Sequence, residues 1–332
     1  MAGLSPDAVR AGIENRAFVI LGRAGMDLFA HPPGTSSEEA EEFHSGLGGS
    51  SANIAAGLCK LGAKAALVTS VSDDAVGRFC LNQLKRYGVE TRYVSAVRGE
   101  FRTSLAIYES RNEGFQNVIY RNGAADFQMT EADIAALDLT PFGAMVATGT
   151  CLAAEPSRAA TFAGFARAAA EGLPVIFDID YRPYSWPSPE VAAEVLSRAG
   201  AASDVIIGND EEFDFMAGAP GQGLAKARAL AAEGAAIVVY KMGAGGAITF
   251  AEGAEIRTGI FPVEALKPVG AGDSFMAGLL ASLGEGRDLR DAILRGSACA
   301  AIVVSKPGCA PAMPDSDQLA AFLADHPGPT EV

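Results

Sequence analysis

No stretch of this sequence is apolar for long enough to span a bilayer, and Asp7, Arg10, Glu14 and Arg16 precede the first apolar run. Neither a spanning helix nor a secretory leader is therefore expected. Cysteine is sparse. The five, Cys59, Cys80, Cys151, Cys299 and Cys309, are odd in number and show no C-x-x-C spacing, so the pattern suggests neither a disulfide framework nor a zinc site. His31, His44 and His326 lie too far apart in sequence to suggest a metal cluster. Positive charge is in deficit, with 26 Lys and Arg against 40 Asp and Glu for a net charge of −14. Nucleic acid and anionic membrane surfaces would repel such a chain, and any anionic substrate must meet local positive charge. The chain also lacks any Gly-Lys pair, which excludes a P-loop, and no G-x-G-x-x-G follows an apolar strand. What remains is an ordinary soluble chain of 332 residues, 49% apolar and 20% charged, that fits a reducing cytoplasm.

The residues that are present alternate between two patterns. Short continuous apolar runs at 17–22, 65–69, 144–148, 174–178, 204–208 and 236–240 read as strands buried on both faces. Helical stretches fall between and after them, from 50 or 51 to 61, 75–87, 157–171, 189–201, about 211–216, 223–233, about 289–304 and 315–324. The result is an α/β chain with a mostly parallel central sheet, and no linker divides residues 1–332 into separate domains. Residues 101–123 break the alternation. Two β-rich runs, 102–109 and 115–121, joined through Arg111-Asn-Glu-Gly114, read as a hairpin. A sheet that small must cover something or pair with another copy. Residues 31–47 give no clear element, and the tail from His326 is expected to fray.

The chemistry gathers at Lys267-Pro-Val-Gly-Ala-Gly-Asp273, which opens into an apolar helix running to Leu283. Gly270 and Gly272 permit a tight bend, and the N–H groups from Gly270 through Ala271 and Gly272 lack intrahelical partners, so the turn suits a phosphate. Asp273, in the first turn, is expected to be held ionised by the helix dipole. A carboxylate there can take the proton of a hydroxyl that attacks phosphate. Asp27 follows the first strand, at the edge where ligands collect in α/β sheets. Asn53 sits in the first turns of its helix, and its amide can both donate to and accept from hydroxyls. Asn209 and Glu212 follow strand 204–208; magnesium needs few protein carboxylates, so one Glu acting through water suffices. Lys241, Gly243 and Gly246 form a glycine-rich loop open to phosphates. Arg121 and Arg182 offer forked donors for a carboxylate.

Two of these stretches occur in a telling order: Gly48-Gly49-Ser-Ser-Ala-Asn53 through Gly62 with Ser72-Asp-Asp-Ala-Val-Gly77, and Gly270-Ala-Gly-Asp273. They resemble the two signatures of the ribokinase-like carbohydrate kinases, the PfkB family, over about residues 17–315. The resemblance implies a ribokinase-like three-layer αβα fold with a small β-lid inserted at about 29–48 and 99–123. It implies ATP-dependent phosphorylation of a sugar hydroxyl, with Asp273 as general base and the 270–273 backbone as anion hole. Sugar binding would fall to Asp27, Gly48, Gly49 and Asn53, and nucleotide binding to Asn209, Lys241, Gly243 and Gly246. Magnesium would sit near Glu212 through water, and a monovalent cation is a further cofactor such kinases can use. The lid would cover the sugar and join two copies as a homodimer.

Relatives acting on keto-deoxy sugar acids hold the carboxylate at positions like Arg121 and Arg182. The expected partners are therefore a small sugar acid and ATP, with a lid that closes both arginines onto one carboxylate. Two departures stand out: Lys267-Pro replaces the family's usual Asp-Thr, and Asp180 stands where Asn is usual. Another sugar acid or a neutral sugar stays open as substrate. So do a nicotinamide oxidoreductase, against which the missing glycine fingerprint counts, and a silent sugar-acid sensor, which would have no use for Asp273.

Overall fold

The computed structural model describes residues 3–111 and 114–331. Its strands are β1 (Ala17–Leu21), β2 (Gly25–His31), β3 (Glu42–Gly48), β4 (Lys64–Ser72), β5 (Val94–Val97), β6 (Ser104–Tyr108), β7 (Asn117–Tyr120), β8 (Ala144–Thr148), β9 (Val175–Asp178), β10 (Val205–Asn209), β11 (Ile237–Lys241), β12 (Ala247–Ala251) and β13 (Ala254–Thr258). Nine of them form one sheet in the order β13-β12-β11-β10-β9-β8-β1-β4-β5. All neighbours run parallel except β12, which runs against both β11 and β13. The α-helices are α1 (Pro6–Glu14), α2 (Ser50–Lys60), α3 (Ala75–Arg86), α4 (Glu131–Ala135), α5 (Ser157–Glu171), α6 (Pro189–Ala201), α7 (Asp210–Ala217), α8 (Gly223–Ala232), α9 (Ala271–Gly284), α10 (Leu289–Val304) and α11 (Ser316–Asp325).

The central strands are buried on both faces, and their side chains alternate between two cores. Phe18, Ile20, Leu67, Ile176, Ile207 and Val239 point into one, shared with Ile54 of α2, Leu280 of α9 and Ile302 of α10. Val19, Leu21, Met145, Phe177, Ile206 and Val238 point into the other, shared with Phe165 of α5, Leu196 of α6 and Leu230 of α8. This is the three-layer α/β arrangement expected from the sequence, and period-two alternation of wholly apolar strands produces it. Helix α9 is buried from Ser274 to Gly284, apolar all round, and packs between α10 and α2. Its N-terminus is thereby fixed within the sheet's framework.

The other four strands form a second sheet in the order β3-β2-β6-β7. Its inward face places Phe29 and Tyr108 beside Val269 and Cys309. On the outward face, Leu28 lies opposite Ile107, Ile107 opposite Val118, and Leu105 opposite Tyr120. Val118 is 45% exposed and Tyr120 60%.

Several expectations need correction. Residues 31–47 are not without structure: β3 pairs antiparallel with β2 along its whole length. Its sequence, Glu-Phe-His-Ser-Gly-Leu-Gly, has little apolar alternation, so main-chain pairing rather than side-chain pattern makes it a strand. The second sheet accordingly begins at Gly25 rather than near residue 29, and Asp27, expected just past the carboxyl end of β1, lies within β2. The antiparallel edge β12-β13, short β5 and helix α4 have no counterpart among the expected elements. The tail, expected to fray from His326, is packed through Thr330. His326 Nε2 pairs with Pro262 O at 2.8 Å and its ring packs on Phe261, while Thr330 N donates to Ile260 O at 2.8 Å. Of the hairpin connection Arg111-Asn-Glu-Gly114, the middle two residues, 112 and 113, lie outside the described residues.

Candidate active site

The parallel strands β9, β10 and β11 end side by side, with Ile207 level with Asp178 and Asn209 level with Lys241. Beyond these carboxyl ends, roofed by the lid, lies a cavity of about 930 Å³. That volume is ample for two small ligands in line. Of the residues singled out from the sequence, Asp27, Gly49, Asn53, Arg121, Arg182, Asn209, Glu212, Lys241, Gly243, Gly246 and the whole run 270–273 line it. Gly48 does not. Its role is steric: a Cβ there would lie 1.9 Å from Asp27 Oδ1, so only glycine lets the carboxylate pack against β3.

Gly270 has φ +87°, which favours glycine, and a Cβ there would crowd Cys309 Sγ and Val303 at 3.1 Å. It is the N-cap of α9, and no side chain caps this end. The first-turn N–H groups are left for a ligand, and the partial positive charge of the helix end acts with them. Asp273 sits in that turn and accepts a hydrogen bond from Asn53 Nδ2 at 2.8 Å. It is not simply held ionised by the dipole, as the sequence suggested. Burial, with Asp180 nearby, pushes its carboxyl up to about 6 against the opposing effects of Asn53, Arg182 and Lys241. A base is most useful with such a value, ionised at neutral pH yet able to keep a proton.

Lys241 makes no ion pair among the described residues; its ammonium lies 5.6 Å from the Phe275 ring centre and 3.4 Å from where a side chain at Gly272 would begin. It is therefore free to meet an anion at the turn. Asp27 is buried, its Oδ1 has no hydrogen-bond partner, and burial raises its carboxyl to about 7. Among the described residues Oδ2 is neither paired nor sealed, and the residue lines the cavity, so a ligand hydroxyl can reach that oxygen.

The acidic start of α7 is used locally. Asn209 Oδ1 accepts from Glu212 N and Glu212 Oε2 accepts from Asn209 N, each at 2.8 Å, a reciprocal cap. Burial raises the Glu212 carboxyl, and Lys241 and Arg182 oppose this. Among the described residues no group of three or more His, Cys, Asp and Glu could hold a metal by itself. Magnesium would thus be held mainly by phosphates and water, and the cavity-facing Glu212 fits that arrangement.

Two carbonyls beside the turn are not free for a monovalent cation. The carbonyls of Val269 and Val303, which would suit such an ion, already accept from Lys267 Nζ at 2.7 and 3.1 Å. Lys267 is fully buried, so the Lys-Pro departure places its amino group against the main chain just before the uncapped start of α9.

Arg121 and Arg182 both reach the cavity, and each already has carboxylate partners. Arg121 is buried against Asp126, with Nε 3.2 Å from Oδ2, and donates to Thr150 O at 2.9 Å. Arg182 lies 2.7 Å from Asp180 Oδ1 and 3.7 Å from Glu212 Oε1. Burial would raise the Asp180 carboxyl, but Arg182 brings it below its ordinary value. Asp180 also has φ +34°, a left-handed conformation that Asp and Asn tolerate better than most residues. Sequence reasoning passed over Arg23 and Asp178. Arg23 stands two residues past β1 and Asp178 ends β9, and the carboxyl-edge position that singled out Asp27 applies to both.

A buried carboxylate at an uncapped helix start, a free lysine beside it and a roofed cavity define a phosphotransferase acting on a small hydroxylated substrate. Comparison with known proteins narrows this. The profile of the pfkB family carbohydrate kinases matches residues 15–316, and the chain belongs to that family. It is 36% identical over 310 residues to a 5-dehydro-2-deoxygluconokinase of Photobacterium profundum, covering 92% of this chain and 94% of the relative. A 5-dehydro-2-deoxygluconokinase of Geobacillus kaustophilus is 37% identical over 314 residues, covering 93% and 94%. Among solved structures, a fructokinase double mutant of Vibrio cholerae with fructose, ADP and potassium ion bound superposes with a TM-score of 0.80 at 25% identity, covering 93% of this chain and 98% of that one.

Proposed function

We propose that this chain is a single kinase domain that transfers the γ-phosphoryl group of ATP to the 6-hydroxyl of 5-dehydro-2-deoxy-D-gluconate, a step of myo-inositol catabolism. The names of its relatives support the substrate. The observation that carries the chemistry is Asp273, raised to about 6 and fixed by Asn53 at the uncapped start of α9. The substrate hydroxyl gives its proton to Asp273 as its oxygen bonds to the γ-phosphorus. The bond from that phosphorus to the bridging oxygen breaks, and ADP leaves. The N–H groups of the 270–273 turn and the Lys241 ammonium take up the charge on the phosphoryl oxygens.

Asp27 and Asn53 meet sugar hydroxyls, with Gly48 and Gly49 setting the floor of that subsite. Arg121 and Arg182 donate to the far, acidic end. Asn209, Gly243 and Gly246 border the nucleotide. Glu212 would hold magnesium through water, and the ion would supply charge neutralisation on the phosphates. The buried ammonium of Lys267 makes a potassium requirement unnecessary. The apolar outward face of the lid is the surface through which two copies would form a dimer, and the five cysteines, all free, suit a reducing cytoplasm.

The test is ATP-dependent phosphorylation across 5-dehydro-2-deoxygluconate, 2-keto-3-deoxygluconate, gluconate, fructose and ribose, read as ADP release. The first should give the highest kcat/KM. Preference for fructose or ribose would overturn the substrate reading, and preference for 2-keto-3-deoxygluconate would replace it with the related acid.

A further inference from the structure

The proposed substrate is an anion, so some charge in the cavity must answer it. Three arginines line the space, and two are already answered. Arg121 is matched by Asp126, and Arg182 faces both Asp180 and Glu212. Their N–H groups can still donate, yet neither brings unbalanced positive charge to a ligand.

Arg23 is different. It is 8% exposed, and among the described residues it has no carboxylate within 4.0 Å. Among the described residues its guanidinium makes one hydrogen bond, from Nη1 to Ser104 Oγ at 2.9 Å. A guanidinium carries five donors, and burying it against a single neutral acceptor is costly unless something else pairs with it. None of its nitrogens is sealed within the protein without a partner, and the residue lines the cavity, so the unused donors face the ligand space. Burial opposes its charge, while Tyr108, Asp27 and Asp126 support it from beyond ion-pair distance; Tyr108 is a phenol, and burial raises the Asp27 carboxyl to about 7, so Asp27 offsets Arg23 only in part at neutral pH.

The local structure is built to keep the fork in place. Ser104 opens lid strand β6, while Arg23 follows β1 of the main sheet, so their hydrogen bond ties the two sheets together at the cavity. A Cβ at position 25 would lie 2.9 Å from Arg23 Nη1 and 2.8 Å from Ser104 Oγ. Gly25 is what leaves the guanidinium room.

We infer that Arg23 is the residue that selects an acid over a neutral sugar, its free N–H groups pairing with the substrate carboxylate while Arg121 and Arg182 contribute donors whose charge is already balanced. This rests on the sugar-acid reading above.

Three proteins, wild type, Arg23→Gln and Arg23→Lys, are assayed for kcat/KM on 5-dehydro-2-deoxygluconate and on its amide, which lacks the charge and carries an NH2 donor in place of one carboxylate oxygen. Wild type should prefer the acid strongly. Arg23→Gln should lose roughly a hundredfold on the acid and no more than about threefold on the amide, because the stranded charge exists in only one of them. Arg23→Lys keeps the charge but not the fork, so its preference for the acid should fall by about tenfold. That variant decides the matter if the Gln variant does not fold. A wild type that prefers the acid together with variants that keep the same preference would overturn the role of Arg23 and leave the sugar-acid reading standing. A wild type indifferent to the charge would overturn the sugar-acid reading itself, and the role of Arg23 with it.

Discussion

Asn53→Ala isolates the contact that tunes the base. The side chain donates to Asp273 Oδ2 at 2.8 Å, and this bond is among the effects that restrain the Asp273 carboxyl to about 6 against burial and Asp180. A hydrogen bond to a charged group contributes about 1.5–3 kcal/mol, and one pH unit corresponds to about 1.4 kcal/mol. Removing it should therefore move the acidic limb of the kcat profile up by roughly one to two units. At pH 6.5 the variant should lose roughly tenfold in kcat, while at pH 9 the base is ionised in both proteins and the loss should be small. The assay is steady-state turnover with saturating substrates from pH 5 to 9.5. A rise in KM for the sugar alone, with the limb still near 6, would mean that Asn53 serves the sugar and not the base, and would refute the reasoning.

Three other outcomes follow from the same geometry. Replacing 101–123 by a short linker should raise the KM for the sugar far more than that for ATP and reduce the mass in solution to that of a monomer. Unchanged sugar kinetics and mass would count against the lid. Exchanging potassium for choline should change wild-type turnover by less than about twofold, because Lys267 already fills the carbonyls of Val269 and Val303. In Lys267→Met those carbonyls lose their donor, which should cost on the order of 1–3 kcal/mol in stability by denaturant melt; a variant as stable as wild type would show the ammonium to be idle.

The alternating layers were readable because each element carries its own signal. Helix α6 begins at Pro189 behind Ser188, whose side chain accepts from Val191 N, and α10 begins behind Asp288, which accepts from Asp291 N. Both bounds agree with those expected from pattern and caps. Strand β3 was not readable because its partner β2, rather than its own side chains, makes it a strand. The glycine turn opening into α9, with Asp273 in its first turn, was readable from the order of residues 270–273, whereas the roles proposed for them came from the resemblance. The tuning of Asp273 was not, since Asn53 lies 220 residues away and Asp180 arrives from β9's end. Arg23 stood in plain view beside Gly22, but what marks it is that no carboxylate among the described residues lies within 4.0 Å of it, and only packing reveals that. The tail failed as an expectation for the same reason: its contacts with Pro262 and Ile260 are entirely tertiary.

The most direct measurement is turnover of Asp273→Asn on 5-dehydro-2-deoxygluconate and ATP, alongside ATP affinity and thermal melting at pH 8. Loss of a general base should lower kcat by roughly 10²–10⁴ while leaving ATP affinity nearly unchanged. The folded state keeps a proton on Asp273 up to about 6, whereas the unfolded chain releases it near the ordinary carboxylate value. The stability tied to this group is therefore lost as pH rises through that window, and at pH 8 the Asn variant should melt no lower than wild type. Turnover within tenfold of wild type in a well-folded Asp273→Asn protein would contradict the assignment of Asp273 as the base.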